Sequence, residues 1–315
     1  MRPRLVTLVA VVIAVASIAL ALIGLIRFSS AKSPAVDASL PTAPASYLGV
    51  YAAGPPQRYG PVARFTTTIG KQPNLVGYYS GWPEQFATSF AETVHQRDAV
   101  PLVQMDPTDA SVAAIAAGEY DDYLRSFARG AREFGHAVVI GFGHEMNASW
   151  YSWGYRHVKA STFVAAWRHI VTLFRGEGAG NVTWLWTINQ DLKSTGPLVS
   201  WWPGARYVTW VGIDGYYYRP SDTFASVFGR TIAQVRAFTR KPVLLSETAA
   251  GAGADQAAKV RDLFMGMHEY QVLGLVWFDI AQHQGIYHQD WRVEGHPAAE
   301  TAFRLAASRL TLTRP

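Results

Sequence analysis

The amino-acid sequence predicts a parallel α/β barrel of eight strands and helices, and three observations favour this fold class. Eight short apolar runs recur along most of the chain, each followed by a loop or a helical pattern. Their near-continuous Val, Ile, Leu and Trp content is typical of parallel strands, which are buried on both faces. About 270 of the 315 residues follow the N-terminal segment, and a (β/α)8 barrel typically needs about 250.

The N-terminal segment predicts a transmembrane helix. Leu5 to Ile26 form an uncharged run of 22 residues, which Arg2 and Arg4 precede. As a helix this run is about 33 Å long, enough to cross a hydrocarbon core of about 30 Å. The apolar region of a cleaved signal peptide is shorter, about 7–15 residues. We therefore expect residues 1–28 to anchor the chain in a membrane, with a cleaved signal as the alternative.

Residues 29–46 are rich in Ala, Ser and Pro and show no periodicity, which predicts a flexible linker. Residues 47–315 then form one folded domain. Because the head before the apolar run is short, we expect the N-terminus in the cytoplasm and the domain outside the cell membrane. If the N-terminal segment is cleaved, the domain is secreted.

The charge and composition of the chain limit the kinds of molecule that it is expected to bind. Arg2, Arg4, Arg27 and Lys32 lie in the first 32 residues, which contain no acid, so the rest of the chain carries 24 basic and 23 acidic residues. This near-neutral domain has no basic stripe that would indicate nucleic acid. The 11 Trp and 15 Tyr residues suit a sugar-binding surface or, equally, a Trp-rich core. The chain has no cysteine, which excludes disulfides and thiolate metal sites.

The eight apolar runs give the strand order. The predicted strands are Tyr47–Tyr51, Asn74–Tyr79, Val100–Met105, Ala137–Gly143, Val182–Thr187, Tyr207–Ile213, Pro242–Ser246 and Gly274–Phe278. Alternation of such runs with helices eight times predicts a parallel barrel. An open doubly wound sheet is the alternative, but no G-x-G-x-x-G turn follows the first run.

The segments between the runs show helical periodicity in most of the units. Clear helical patterns cover Pro83–Arg97, Tyr120–Phe134, Thr162–Phe174, Ser226–Thr239, Ala254–Tyr270 and Ala298–Leu310. The connections after the first and fifth strands look poor in helix.

Polar side chains accumulate where the predicted strands end, which is where barrel enzymes place their chemistry. Such residues are Gln104, Asp106, Asn189, Asp214, Tyr216 and Asp279, together with Glu145 and Glu247. Polar residues also occur at strand ends for purely structural reasons, and this explanation is sufficient for Asp106 and Asp279. The structural explanation fits Glu145 and Glu247 less well, because both stand among apolar or small residues.

Two carboxyl groups at one barrel mouth are the residues that cleavage of a glycosidic bond requires. One carboxyl donates a proton to the leaving oxygen, and the other stabilises the oxocarbenium-like centre. The two must differ in protonation, which demands different surroundings. Glu145 and Glu247 follow the fourth and seventh strands, which open into the same mouth, so they can face each other across a bound sugar.

Three segments resemble glycoside hydrolase family 26, the β-mannanase family. The run from His144 to Gly154, H-E-M-N-A-S-W-Y-S-W-G, resembles the family signature H-E-M-N-G-x-W-[FY]-P-W-G. The run W-V-G-I-D-G-Y from Trp210 to Tyr216 resembles the strand-six segment of the family. The run P-V-L-L-S-E, ending at Glu247, resembles the strand-seven segment that ends in the nucleophile.

The resemblance implies a retaining endo-acting hydrolase that needs no metal or organic cofactor. It implies Glu145 as the acid/base, Glu247 as the nucleophile and Tyr216 as the hydrogen-bond partner of that nucleophile. The further substrate-binding positions it implies are His144, Asn147, Trp150 as a sugar-stacking residue and Trp277 as an aromatic platform. Retention predicts that the two carboxyl groups lie about 5–5.5 Å apart.

Two departures from the family signature leave the substrate open. Ala148 and Ser152 stand where the family has glycine and proline, and both lie in the loop after the fourth strand. Ala148 also occupies the position of the second His in a zinc-binding H-E-x-x-H motif, so that site is excluded. The leading substrate is β-1,4-mannan, with mixed-linkage β-glucan and β-1,3-xylan as alternatives.

Two other activities share these residues. A catalytically silent barrel that binds carbohydrate while tethered to the membrane is one, and an envelope-glycan transglycosylase is the other. The sequence gives no role to other polar residues that could line the mouth, namely Asp191, Asp279, His283 and His288.

Overall fold

A computed structural model describes residues 40–190, 197–281 and 289–314 of this protein. The predicted anchor at residues 1–28 and most of the predicted linker lie outside these ranges. Among the residues in these ranges, no helix is both long and apolar enough to cross a membrane.

Eight parallel strands form a closed barrel in chain order, which confirms the predicted fold class. The strands are β1 (Tyr47–Ala52), β2 (Leu75–Gly81), β3 (Val100–Asp106), β4 (Val138–Phe142), β5 (Val182–Asn189), β6 (Trp210–Tyr217), β7 (Val243–Ala250) and β8 (Gly274–Asp279). β1 pairs with β8 along its whole length, from Tyr47 opposite Gly274 to Ala52 opposite Asp279, and this pairing closes the sheet. All eight strands therefore end at one rim, which forms the mouth of the barrel.

Helices cover the outside of the barrel. They are α1 (Gly60–Ile69), α2 (Thr88–His95), α3 (Val112–Ala117), α4 (Asp121–Phe134), α5 (Ala160–Gly176), α6 (Arg230–Arg236), α7 (Gln256–Glu269) and α8 (Pro297–Ser308). The expectation of a helix-poor connection after β1 is wrong, because α1 fills it. After β5, the described part of the connection contains only a short 3-10 helix, Leu198–Trp201.

The α4 helix shows how sequence period sets the packing. Its buried residues recur three or four positions apart, at Leu124, Phe127, Ala128, Ala131 and Phe134. Asp121 and Asp122 stand in its first turn, where acids favour the helix dipole, and Gly135 ends it in the left-handed conformation. Each fully buried Leu or Phe contributes about 1.5–3 kcal/mol relative to an exposed one, so this stripe fixes the face that meets the barrel.

The folded part of the chain begins before the predicted boundary at residue 47. The backbone N–H groups of Ala45 and Ser46 donate to the carbonyls of Val272 and Leu273, at 2.9 and 2.8 Å. Leu40 is buried as well. The last residues of the predicted linker are therefore ordered against the loop that enters β8.

The chain enters β1 at the rim opposite the mouth. The ring of Tyr47, the first residue of β1, lies 4.9 Å from the ring of Trp210, the first residue of β6. Since β1 and β6 are not neighbours in the sheet, this contact crosses the barrel interior. The two aromatic rings close the N-terminal rim, and the polar strand ends are left at the other.

Candidate active site

The loop after β4 holds Glu145 in an uncommon backbone conformation. Gly143 and Glu145 both have positive φ, 55° and 54°. A Cβ atom on Gly143 would lie 2.9 Å from the Phe163 ring, so the position has no room for a side chain. A non-glycine residue in this region costs on the order of 1–3 kcal/mol and is most often found at functional sites. The hydrogen bond from the Glu145 N–H to the Thr187 carbonyl, at 3.0 Å, ties the strained turn to β5.

Two nitrogen donors hold the Glu145 carboxyl. Trp150 Nε1 donates to Oε2 at 2.7 Å, and Asn189 Nδ2 donates to Oε1 at 2.6 Å. Asn147 in turn fixes Asn189: its Nδ2 donates to the Asn189 carbonyl at 3.0 Å, and its Oδ1 accepts the Asn189 N–H at 2.8 Å. Loop and strand therefore brace the carboxyl from both sides.

Asn147 does not contact substrate, which corrects one sequence prediction. The residue is fully buried, and both polar atoms of its side chain are bonded to the backbone of Asn189. It acts through Asn189, the residue that contacts the carboxyl of Glu145.

Two tyrosine hydroxyls hold the Glu247 carboxyl, one on each oxygen. Tyr216 from β6 donates to Oε2 at 2.7 Å, which is the contact that the family resemblance implies. Tyr79 from β2 donates to Oε1. The pairing of β7 shifts register on both sides of Glu247, against β6 and against β8. Such irregularities re-aim side chains near active sites, and here Glu247 lies inside the strand and points into the mouth.

An ion pair lies behind the two carboxyls. His144 Nδ1 lies 2.8 Å from Asp106 Oδ1, and His144 Nε2 lies 3.1 Å from the Tyr151 hydroxyl. Burial lowers the pKa of His144, but the charge and hydrogen bond of Asp106, together with the charges of Glu247 and Glu145, outweigh it and raise that pKa to about 10. His144 is thus a buried cation at neutral pH. Both of its nitrogens are occupied by protein groups, so a contact between His144 and substrate stays a prediction.

The two glutamates share one buried electrostatic environment. Burial raises the pKa of Glu247 to about 7; the charge of His144 and the hydroxyls of Tyr79 and Tyr216 oppose the rise, and the charge of Glu145 adds to it. Burial raises the pKa of Glu145 as well. Since the charge of Glu145 raises the pKa of Glu247, ionising one carboxyl makes it harder to ionise the other. The pair therefore holds one proton over an intermediate pH range, as acid and nucleophile require.

Residues 111–294, more than half of the chain, match the family model of glycosyl hydrolase family 26. The chain belongs to glycosyl hydrolase family 26. The matched range includes Glu145, Glu247 and the residues between β4 and β7 that hold them. The family model that it matches describes glycosyl hydrolases.

Two relatives match the chain with different coverage. Endoglucanase H of Acetivibrio thermocellus is 28% identical over 262 residues, which cover 78% of this chain and 28% of that protein. Mannan endo-1,4-beta-mannosidase A and B of Caldalkalibacillus mannanilyticus is 28% identical over 141 residues, which cover 42% of this chain and 27% of that protein. The chain therefore spans less than a third of the length of these two relatives.

A solved family 26 structure shares the fold. The catalytic domain of an endo-beta-1,4-mannanase of Bacillus sp. JAMB-750 superposes with a TM-score of 0.65 at 14% identity, covering 85% of this chain and 87% of that chain. At this identity the likeness concerns the barrel alone.

The two predicted tryptophans of this family 26 site have different surroundings. Trp150 is 51% exposed while its Nε1 is fixed on Glu145, so a broad face of its ring is open beside the acid/base candidate. Trp277 is fully buried, with its ring against Phe303 of α8 and its Nε1 donating to the Trp291 carbonyl at 3.0 Å. The prediction of Trp277 as a sugar platform is therefore wrong.

Strand alternation explains this error. Successive residues of β8 point to opposite faces, so Trp277 points to the helix layer and its neighbour Phe278 points to the mouth. The Phe278 ring lies 5.8 Å from the ring of Tyr216. Trp291 packs on the same tyrosine at 4.9 Å but is itself buried.

The two substituted signature positions do not touch the carboxyl pair. Ala148 is buried with ordinary negative φ, so its backbone does not require the glycine of the family. Ser152 is exposed. Gly154, which is kept, lies where a Cβ atom would approach the Ala148 carbonyl to 2.4 Å.

Other polar candidates have structural roles or lie outside the described residues. Asp214 is fully buried and accepts the Ser246 hydroxyl at 2.5 Å, and burial raises its pKa far above the usual range. Asp279 accepts the Val293 N–H at 3.2 Å. Asp191, His283 and His288 lie outside the described residues. In the ranges that the structure describes, no group of three or more His, Asp or Glu side chains could hold a metal ion.

Replacing Asp106 by Asn is expected to move the pH profile of kcat/KM upward. Without the Asp106 charge, burial is opposed only by the charges of Glu247 and Glu145, so the pKa of His144 falls and the imidazole loses its proton more readily. The His144 charge lowers the pKa of both glutamates, so its loss raises them. We expect both limbs of the profile to move by about one pH unit. The exposed Asp109→Asn variant serves as the control, and an unmoved profile in Asp106→Asn contradicts this role.

Removing either tyrosine hydroxyl is expected to weaken the nucleophile candidate. Tyr79→Phe and Tyr216→Phe should each lower kcat by about tenfold to a hundredfold, since a hydrogen bond to a charged group contributes about 1.5–3 kcal/mol. Both hydroxyls lower the pKa of Glu247, so the acid limb of the pH profile should move up. In Tyr217→Phe, which loses only the outward bond to Asp262, that limb should stay in place. An equal shift in all three variants would indicate a general effect on β-strand packing.

Proposed function

We propose that this protein is a retaining endo-β-glycosidase that hydrolyses a polysaccharide, with Glu247 as the nucleophile and Glu145 as the acid and base. The supporting observation is the asymmetric pair at the mouth. Two hydroxyl donors hold Glu247, while an indole N–H and an amide hold Glu145. Both carboxyls are buried, so the charge of Glu247 and the proton of Glu145 act on a sugar between them with little screening by water.

In the first step, a carboxylate oxygen of Glu247 attacks the anomeric carbon, and Glu145 gives its proton to the departing glycosidic oxygen. The bond between that carbon and oxygen breaks, and a glycosyl ester on Glu247 forms. In the second step, Glu145 takes a proton from water while the water oxygen attacks the anomeric carbon. The ester bond breaks, Glu247 regains its charge, and the product keeps the β configuration.

The leading substrate of the proposal is β-1,4-mannan, with mixed-linkage β-glucan and β-1,3-xylan next. The match to a mannan endo-1,4-beta-mannosidase supports the first. The match to an endoglucanase supports glucan and extends over more of this chain. Ala148 and Ser152 lie in the loop that carries Trp150, where the chain departs from the family signature.

The proposed location is the outside of a cell membrane, with residues 1–28 as the anchor. The 22-residue uncharged run supports it. The full chain should then stay with membranes in alkaline carbonate and leave them only in detergent. Release of a shorter chain into the medium would instead indicate a cleaved signal. An enzyme held in this way acts on polysaccharide near the cell surface.

The test is incubation of the full chain in detergent with the three polysaccharides, followed by reducing-end detection and NMR of the first anomer formed. We expect internal cleavage of one polymer and a β anomer that then mutarotates. An α anomer as first product overturns the mechanism. Oligosaccharide binding without any product favours the silent barrel, and products longer than the substrate favour the transglycosylase.

A further inference from the structure

One sector of the domain carries only positive charge. Residues 159–176, 197–213 and 230–243 contain eight Lys and Arg residues and no Asp or Glu, although the domain as a whole is near neutral. These segments comprise α5, the approach to β6, and α6 with the turn into β7. They are neighbours in the barrel, so the charges share one side of the molecule.

Three arginines of this sector cluster around one ring. The guanidinium carbons of Arg168, Arg175 and Arg206 lie 5.5, 5.9 and 5.5 Å from the centroid of the Tyr207 ring. Arg168 Nε donates to the Pro203 carbonyl at 2.8 Å, and Arg175 Nη2 donates to the Arg206 carbonyl at 2.7 Å. These contacts fix an exposed cluster whose charges attract anions together.

No carboxylate neutralises the cluster within the described ranges. The ion pairs of neighbouring α4 involve other arginines, Arg125 and Arg129, which both contact Glu177. Arg168, Arg175 and Arg206 take part in none of the ion pairs found there. An uncompensated group of guanidinium ions suits phosphate oxygens, which arginine binds through paired donors.

Two arginines of the cluster, Arg175 and Arg206, lie at the rim where the chain enters β1, and Arg168 lies about two turns earlier along α5 on the same side. Arg206 precedes β6 and Arg175 lies in the last turn of α5; in this fold strands begin and helices end at the N-terminal rim. Arg236, Arg240 and Lys241 follow in the turn from α6 to β7 and extend the positive surface. Residues 40–46 lead into β1 at the same rim, so the described chain enters the barrel on its basic side.

Apolar side chains accompany the charges. Trp202, next to Pro203, is partly exposed, and its ring lies 5.5 Å from that of Phe238 in the turn from α6 to β7. The described chain between β5 and β6 has only a short 3-10 helix here, so these side chains are not covered by a full-length helix. Tryptophan beside basic residues is typical of surfaces that lie at the headgroup level of a bilayer.

We infer that this surface, the basic rim, docks on the anionic phospholipid headgroups of the membrane that holds the proposed anchor. The basic rim consists of Arg168, Arg175, Arg206, Arg236, Arg240 and Lys241. Docking turns the opposite rim, with Glu145 and Glu247, away from the lipid and toward the polysaccharide. The inference rests on the proposed location and is independent of the proposed reaction.

The test uses the full chain, whose lack of cysteine allows a single label. Ala205→Cys places a fluorophore beside Arg206, and Ser221→Cys places one at an exposed position after β6, on the side of the mouth. Each labelled chain is inserted into phosphatidylcholine nanodiscs with a headgroup quencher, with or without phosphatidylglycerol. We expect quenching at position 205 only, only with phosphatidylglycerol, and reversed by high salt.

Charge variants identify the residues responsible. Arg175→Gln with Arg206→Gln should lower the ratio of docked to undocked chain about fivefold per arginine. The control, Arg58→Gln with Arg64→Gln, removes the same charge from exposed positions outside the basic rim and should leave quenching intact. Equal quenching at both labels, quenching in pure phosphatidylcholine, or equal loss in both double variants overturns the inference.

The experiments distinguish failure of the proposed anchor from failure of the proposed docking. A chain that does not insert into phosphatidylcholine nanodiscs contradicts the anchor. Its binding to phosphatidylglycerol vesicles in flotation, lost in the Arg175→Gln and Arg206→Gln variant, would still support the basic rim. Absence of that binding would overturn it.

Discussion

Replacing Glu247 by Gln is expected to reduce hydrolysis of the polysaccharide on the order of 10⁴- to 10⁶-fold, as loss of a covalent nucleophile does in other hydrolases. The amide is a poor nucleophile and cannot form the glycosyl ester. It also presents an N–H₂ group to one of the two hydroxyls of Tyr79 and Tyr216, which now donate to carboxylate oxygens. The measurement is kcat on the polymer identified by the substrate screen, with thermal unfolding to verify the fold.

A second substitution at this position distinguishes a nucleophile from a residue that only supports the fold. In Glu247→Gly the space of the carboxylate is open, and added azide can attack the anomeric carbon from the same face. The expected product is the α-glycosyl azide, detected by NMR. The exposed Glu294→Gln variant is the matched control and should keep full activity. Full activity of Glu247→Gln would remove Glu247 from the mechanism.

The loop after β4 could be placed from the sequence because its signals are local. The segment from His144 to Gly154 is contiguous and specific, and the apolar run before it ends at a glycine with no room for a side chain. The presence of the eight strands could also be predicted from the sequence, since buried parallel strands are apolar throughout. The exact ends of the strands were harder to predict. The run into β7 predicts an end at Ser246, whereas β7 continues through Glu247 to Ala250, because a strand that lines a polar mouth carries polar residues.

The α1 helix shows where local pattern fails. Its sequence, G-P-V-A-R-F-T-T-T-I, contains glycine, proline and three threonines, which are poor helix formers. The helix exists because Val62, Phe65 and Ile69 are buried, and Pro61 is tolerated in its first turn. Packing thus overrides helix propensity here, and propensity alone does not reveal which residues the helix packs against.

Tyr79 and Trp277 show how far the residues of the candidate site could be predicted from the sequence. Tyr79 ends the predicted second strand, but its hydroxyl meets Glu247 at a separation of 168 residues along the chain, which no local motif records. Its position at the mouth end of β2 was the available signal. Trp277 was placed one residue out of phase: a strand of period two sends neighbours to opposite faces, and Phe278 points to the mouth.

The second large effect is expected from Glu145→Ala, and it should depend on the leaving group. Hydrolysis of the polymer, whose leaving alcohol needs a proton, should fall about 10²- to 10⁴-fold, the usual contribution of a general acid. An aryl β-glycoside with a strongly acidic phenol needs no proton in the first step. Its phenol should appear in a burst, followed by slow turnover, because the glycosyl ester on Glu247 then lacks a base to activate water.

Azide and pH give two independent checks on this role. Azide needs no deprotonation, so it should speed turnover of the aryl substrate in Glu145→Ala and give the β-glycosyl azide, the opposite anomer to that from Glu247→Gly. The Glu145 charge raises the pKa of Glu247, whose value is about 7. In the active form Glu145 carries its proton and no charge, so its removal should leave the acid limb, which reports the ionisation of Glu247, close to its place. The alkaline limb, which reports the loss of the Glu145 proton, should disappear. An equal loss on both substrates with an unmoved profile would make Glu145 a structural residue and leave the barrel without its acid.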